Sequence, residues 1–289
     1  MAKKGMSAEF IVGAIITLAA FVLITLAIRG FIDKAESKEV EIICHDSVAL
    51  RSAASISLGG LENAKLAPLL CKTQDRKISG TEEEVQKQMA EMIARCWWMF
   101  NAGMTEDLLT TLPGLGGNNQ GFVCYTALVE GSKEFSAGNK IIDFNDFLRK
   151  EKYAQTNITY LNYVQYAAGG PGRIVMLLEN GIIQPNHAYE IAFIEKNSDK
   201  NSWIGTAITG AGAAAAITGV IIFSVGTGGL GAAALAVAGV AGTAVGTEIQ
   251  FDQMFKETDV STVMVIDMSN QDLRNELHKN VFSGDISGE

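Results

Sequence analysis

Histidine is rare in this chain and nowhere clustered: His45, His187 and His278 share no metal-ligand spacing. HExxH, GxxxxGK[ST] and GxSxG are all missing, so the sequence signals no metalloprotease, phosphate loop or nucleophile elbow. Cys44 and His45 are neighbours, but adjacency in sequence does not let an imidazole activate a thiol. Asp143 with Asp146, and Glu82 to Glu84, read as solvated helix ends. No catalytic, cofactor-binding or metal-binding residue is assigned and no cofactor is expected; nothing in the sequence supports an enzyme, and a membrane-bound enzyme stands last among the roles weighed. Basic residues are also outnumbered, with Lys+Arg 23 against Asp+Glu 32, a net charge of -9 and a pI near 5.0. That balance argues against a nucleic-acid partner, because phosphate neutralisation needs a basic surface.

Charge disappears altogether over residues 201–247, which contain no Asp, Glu, Lys, Arg or His. A membrane-spanning helix needs roughly 20 mostly apolar residues, so this length suits two helices joined near Gly226–Gly229. Ala207, Ala211, Ala215 and Gly219 recur every four residues, as do Ala234, Ala238, Gly242 and Gly246. On helices these would form two ridges with little side-chain bulk, the close-packing signature of helices in lipid. The reading is a Gly/Ala-rich transmembrane helical hairpin; its alternative is a Gly/Ala-rich hairpin buried inside a soluble domain. Val220–Val225 followed by Gly226-Thr-Gly228-Gly-Leu-Gly231 also matches a dinucleotide fingerprint. Against it, Glu248 and Asp252 follow no convincing second strand, and too little chain remains for the βαβ units a binding crevice requires.

A second apolar run, residues 10–28, is long enough to span a bilayer and too long for an ordinary signal-peptide core. Lys3 and Lys4 precede it, while Arg29, Asp33, Lys34 and Glu36 leave no positive excess after it. The positive-inside rule then predicts a cell-membrane protein with a cytoplasmic N-terminus and its main domain extracytoplasmic. Lys3-Lys4-Gly5, Met6 and Glu9 ahead of this run resemble the class III signal of archaeal type IV pilin-like proteins. The resemblance covers about 28 residues and implies cleavage after Gly5, with Met6 as the first mature residue. It also implies that Glu9 pairs with a neighbouring subunit's N-terminal amine. Glu9 stands fourth after the implied cut, where the family has its acidic residue fifth. An uncleaved signal anchor is the alternative.

Between and after these runs the pattern is α+β. Residues 31–60 read as a helix with a ragged apolar face of Val40, Ile43, Val48, Ala49 and Ile56. A second helix opens on a Thr81/Glu84 capping box and carries Val85, Met89, Met92, Ile93 and Cys96 at helical spacing, with Gly103 as its cap. Trp97-Trp98-Met99-Phe100 reads as packing more readily than as a binding surface. After a loop over 112–121, residues 122–129 read as a strand, 143–152 as a helix, and Tyr153, Tyr160, Tyr163 and Tyr166 as a packed, half-exposed face. Asn157-Ile158-Thr159 is a glycosylation acceptor triplet, usable only outside the cell membrane. Residues 189–195 and 260–268 have strand composition; if they pair, the hairpin is inserted between adjacent strands of one sheet. Gln271–Asn280 reads as a short helix.

The domain plan is therefore an anchor at 1–30, an α+β extracytoplasmic domain over 31–200, the hairpin at 201–247, and completion of the domain with a tail over 248–289. The chain has 4 cysteines, Cys44, Cys71, Cys96 and Cys124, none in a CxxC pair. All lie in the segment placed outside, where disulfides are permitted. The preferred pairing joins Cys71 to Cys96 and Cys44 to Cys124, because the helix from Thr81 could fold back toward Cys71; free buried thiols are the alternative. The leading role is a membrane-anchored cell-envelope protein, structural or interaction-mediating, with the lipid bilayer and further copies of itself as partners. A pore-forming protein oligomerising through the hairpin and a pilin-like filament subunit are the competing roles.

Overall fold

A computed structural model describes residues 38–53, 68–103, 108–109, 121–131, 135, 144–153, 156–166, 172–178, 182–195, 219–225, 232–238, 261–269 and 271–280. The chain divides into two compact units, Met1–Ile42 and Ile43–Glu289. Only residues 38–42 of the first are described, as the opening turn of helix α1 (38–53).

The second unit is built on one mixed, seven-stranded sheet. Its strands are β1 (Gln74–Ile78), β2 (Gly121–Val129), β3 (Arg173–Leu178), β4 (Ala188–Ile194), β5 (Gly219–Val225), β6 (Ala232–Ala238) and β7 (Thr262–Asp267). The spatial order is β1-β2-β4-β7-β3-β5-β6. β1 runs parallel to β2 and β3 parallel to β7, while the other neighbouring pairs are antiparallel. Every side chain of β3 and β7 is buried, and all but the first of β4. Strands buried on both faces read as continuous apolar runs, as residues 174–178 (IVMLL) and 263–266 (VMVI) do, with Arg173, Thr262 and Asp267 as the polar ends.

Helix α2 (Glu82–Met99) forms because its start is chemically specified. Thr81 Oγ1 accepts from Glu84 N at 3.3 Å, and Glu84 Oε2 accepts from Thr81 N at 2.8 Å, which closes the capping box. Val85, Met89, Met92, Ile93 and Cys96 are all buried, as their spacing predicts. Trp97, Met99 and Phe100 are core residues, with Phe100 stacked on Phe193 of β4 at 4.4 Å. The helix caps at Phe100, not Gly103, and three left-handed residues follow: Asn101, Ala102 and Gly103. Gly103 is needed there on two counts, since its φ is +69° and a Cβ would lie 2.6 Å from Trp97. Helices α3 (Phe144–Lys150), α4 (Tyr160–Tyr166) and α5 (Gln271–Asn280) complete the described elements.

The Gly/Ala-rich stretch is not a transmembrane helical hairpin: its described parts, β5 and β6, pair antiparallel from Gly219↔Ala238 to Val225↔Ala232 and extend the sheet from β3. The physical reason lies in β5, where Val220, Ile221, Ile222 and Val225 are β-branched and favour a strand; β6, whose AAALAVA composition by itself favours a helix, is held as a strand by its pairing along β5. Of the residues assigned to helical ridges, Gly219, Ala234 and Ala238 lie in strands, so a pore built on helical small-residue faces has no such faces in these two segments. Ala207, Ala211, Ala215, Gly242 and Gly246 lie outside the described residues. The membrane protein expected from the sequence is, over the described residues, an α+β domain in which no helix is long and apolar enough to cross a membrane. Residues 1–37, including the run 10–28 and Gly5, Met6 and Glu9, lie outside the described residues. The expected pairing of the strands flanking 201–247 is present: β4 lies antiparallel to β7, from Tyr189↔Asp267 to Ile194↔Thr262.

Candidate functional site

The cysteines frame one side of the domain. Cys44 bonds to Cys71 and Cys96 to Cys124, so all four are oxidised and the expected pairing is corrected. Helix α2 lies over the sheet and delivers Cys96 to β2. There Cys124 sits at a register shift between Val123 and Tyr125, the position of a β-bulge. With Cys44 bonded, no thiol stands beside His45. That imidazole instead stacks on the Trp98 ring, with centroids 4.1 Å apart and planes 2° from parallel.

The Cys44–Cys71 bond fastens α1 to the chain leading into β1. Ser47 Oγ donates to Cys44 O at 2.8 Å and accepts from Leu70 N at 3.0 Å, which seats Leu70 beside the helix. Helical spacing places Ile43, Ser47 and Leu50 along one line. Ile43 is 40%, Leu50 65% and Leu70 53% exposed. Ile43 and Leu50 thus share one exposed line of α1, and Leu70 is exposed on the segment that the disulfide and the Ser47 hydrogen bond join to that helix. His45, with Trp98 of α2 stacked on it, lies on the opposite flank of α1 by the same spacing.

Trp98 continues into a ladder along α2 and α4. The Arg95 guanidinium lies 5.9 Å from the Trp98 centroid, and Arg95 Nε is 3.6 Å from Glu91 Oε1. Tyr160 donates its hydroxyl to Glu91 Oε2 at 3.1 Å. Tyr153, Tyr160 and Tyr163 form a ring cluster with centroids 4.6 to 5.5 Å apart, and only Tyr166 of the expected tyrosine face is exposed. Burial raises the Tyr163 phenol to about 12, helped by Tyr153 and Glu91 and opposed by Arg95. Burial, with Glu91 next, raises Tyr160 as well.

The buried polar groups serve as fasteners. Glu195 accepts from Leu109 N at 2.8 Å and from Leu108 N, tying residues 108–109 to the end of β4. Burial lowers the Arg51 guanidinium, and the Glu195 charge opposes that. On α5, Arg274 Nε and His278 Nε2 reach Glu190 of β4 at 3.1 and 2.8 Å. Burial pushes the Glu190 carboxyl upward, but His278 and Arg274 outweigh it and hold the group below its ordinary value. Asp267 accepts from Ser269 N and Oγ at 2.9 and 2.7 Å, closing the turn after β7, and faces His187 Nδ1 at 3.4 Å. The three histidines therefore sit in three unrelated settings. Among the described residues no group of three or more His, Cys, Asp or Glu could hold a metal ion.

Sequence reasoning missed the Ile43, Leu50 and Leu70 surface and the Glu190 network. The i,i+4 spacing of Arg274 and His278 was a usable signal for the second. The chain matches no protein-family model, no curated protein and no solved structure.

Proposed function

We propose that the protein is a non-enzymatic interaction protein of the cell envelope. Its disulfide-stapled domain works on the outer side of the membrane and binds another protein through the Ile43, Leu50 and Leu70 surface. The observation that carries the reading is the exposure of these side chains on elements pinned by the Cys44–Cys71 bond. Isolated surface apolar residues are ordinary, whereas an aligned, rigidly held group marks a contact surface. Rigidity lowers the ordering cost of association, so a small patch of this kind binds better than the same residues on a mobile loop. Paired cysteines support an oxidising compartment, and the acidic balance of the chain suits a protein partner better than a polyanion.

The test is site-specific photocrosslinking in intact cells. A photoreactive residue at Leu50 or Leu70 is expected to give one discrete protein adduct, and the same residue at Lys77 on β1 none. Leu50→Asp is expected to abolish the adduct formed from position 70. Absence of a discrete adduct from both positions refutes the reading, and an adduct of twice the chain mass identifies the partner as a second copy.

A further inference from the structure

Asn157, Ile158 and Thr159 form an Asn-X-Thr triplet, and the fold presents it in a form open to modification. The triplet lies between α3 and α4. Tyr153 N donates to Ile158 O at 3.0 Å and Tyr160 N to Glu151 O at 3.1 Å, and Lys152 and Thr159 form an isolated antiparallel bridge. These bonds close a small loop. Its two feet are set in the core by Tyr153 and Tyr160, whose rings are 5.5 Å apart. Asn157 is exposed at its outer side. Asparagines in tight loops commonly stay because the side chain bonds the local backbone. Asn157 makes no such bond: its one hydrogen bond is Oδ1 accepting from Lys152 Nζ at 3.5 Å. The amide nitrogen Nδ2 is therefore not engaged. Thr159 Oγ1 accepts from Asn162 N at 3.3 Å, which uses an oxygen lone pair and leaves the hydroxyl proton able to donate.

We propose that Asn157 carries an N-linked glycan, transferred from a lipid-phosphate-linked oligosaccharide. In the transfer Nδ2 attacks the anomeric carbon and a C–N bond forms. The C–O bond to the phosphate breaks, and its electron pair leaves on the phosphate oxygen. The amide gives up one proton to a base of the transferase, and nothing is oxidised or reduced. The Lys152 contact is to Oδ1, so it leaves the attacking atom accessible. Asn157 is exposed while Tyr153 and Tyr160 at the feet of the loop are buried, so a bulky, solvated group at this position extends into water.

This proposal rests on the extracytoplasmic placement above, and one sample tests both. The full-length chain is purified from its native cells, its mass and the peptide containing Asn157 are measured, and its thiols are alkylated without reduction. The wild-type chain and Thr159→Ser are expected to carry a monosaccharide-based mass increment on Asn157. Asn157→Gln and Thr159→Ala are expected to lose it. Unmodified Asn157 in protein whose cysteines all resist alkylation overturns the proposal and leaves the placement intact. Unmodified Asn157 with reactive thiols overturns both. Retention of the increment in Thr159→Ala also overturns the assignment, because the hydroxyl is then dispensable.

Discussion

Removing the disulfides one at a time separates what each contributes. The bonds close loops with sequence separations of 27 and 28 residues that do not overlap. Chain entropy alone then assigns each about 3.5 kcal/mol, with the two contributions additive. The surroundings differ. Cys96 and Cys124 are both fully buried, between α2 and the bulge of β2, whereas Cys71 is only partly buried. Cys96→Ala with Cys124→Ala leaves a void inside the core and should cost about 1 to 2 kcal/mol more than Cys44→Ala with Cys71→Ala. For a unit of this size, a loss of about 3.5 kcal/mol lowers Tm by roughly 7 to 14 °C. Urea unfolding followed by the fluorescence of Trp97 and Trp98 gives the comparison at constant m. The same difference in burial predicts that mild reductant opens Cys44–Cys71 first, as read by timed alkylation and peptide mapping. Equal losses for the two double variants, or first alkylation at Cys96 and Cys124, would show that burial does not separate the two bonds.

Glu190→Gln should cost about 1 to 3 kcal/mol, because a neutral amide replaces a carboxylate bonded to Arg274 and His278. The folded Glu190 value lies below the unfolded one, so its contribution is fully present above the ordinary carboxylate pKa of about 4.3. It fades as pH falls from there through the lowered folded value. Urea midpoints of wild type and Glu190→Gln should therefore converge in acid, and a constant gap down to pH 3 would exclude the mechanism. Tyr163 has the opposite sign: its phenol is raised to about 12, so stability is held below the unfolded value of about 10 and lost as pH rises between the two. Ultraviolet titration should show a late-ionising tyrosine that shifts to the ordinary range in urea; its absence from the native titration would contradict the packing of the ring cluster. Gly172→Ala should cost at least about 1 to 3 kcal/mol, since a Cβ there would lie 2.6 Å from the Trp97 ring and against the carbonyl of Val164. An unchanged thermal midpoint would show that α4 and Trp97 pack more loosely than the structure has them.

Local chemistry made α2 and α5 legible, because caps and helical periodicity act within a few residues of one another. The strands flanking 201–247 were legible for a related reason, as their β-branched content advertises burial. Partners distant in sequence were not. The cysteine pairing depends on where α2 lies over the sheet and on a bulge at Cys124 that no residue type announces. Glu190 meets Arg274 and His278 across 84 and 88 residues; their helical spacing shows a shared face, but nothing nearby names the acid they face. The exposed apolar surface escaped because Ile43 belongs to a face that looked ragged. Its meaning depends on Leu70, which only the Ser47 hydrogen bond and the disulfide bring alongside.

The misreading of β5 and β6 has a sharper cause. Recurrence of small residues every four positions fits a helical ridge, yet four is also an even number. Side chains four apart share a face on a strand, whose period is two, as they do nearly on a helix, whose period is 3.6. The spacing therefore carried no information about which element forms, and the decision falls to terms that do discriminate. Val220, Ile221, Ile222 and Val225 lose χ1 freedom in a helix and pack well on a pleated surface. β3 supplies an antiparallel partner for five consecutive residues of β5. Lack of charge suggests lipid, but strands buried on both faces of a sheet, as β3 and β7 are, read as largely uncharged too. Absence of charge therefore does not discriminate lipid from a sheet, and the discriminating signal in this stretch is the β-branched run of β5, with β6 following it through the ladder.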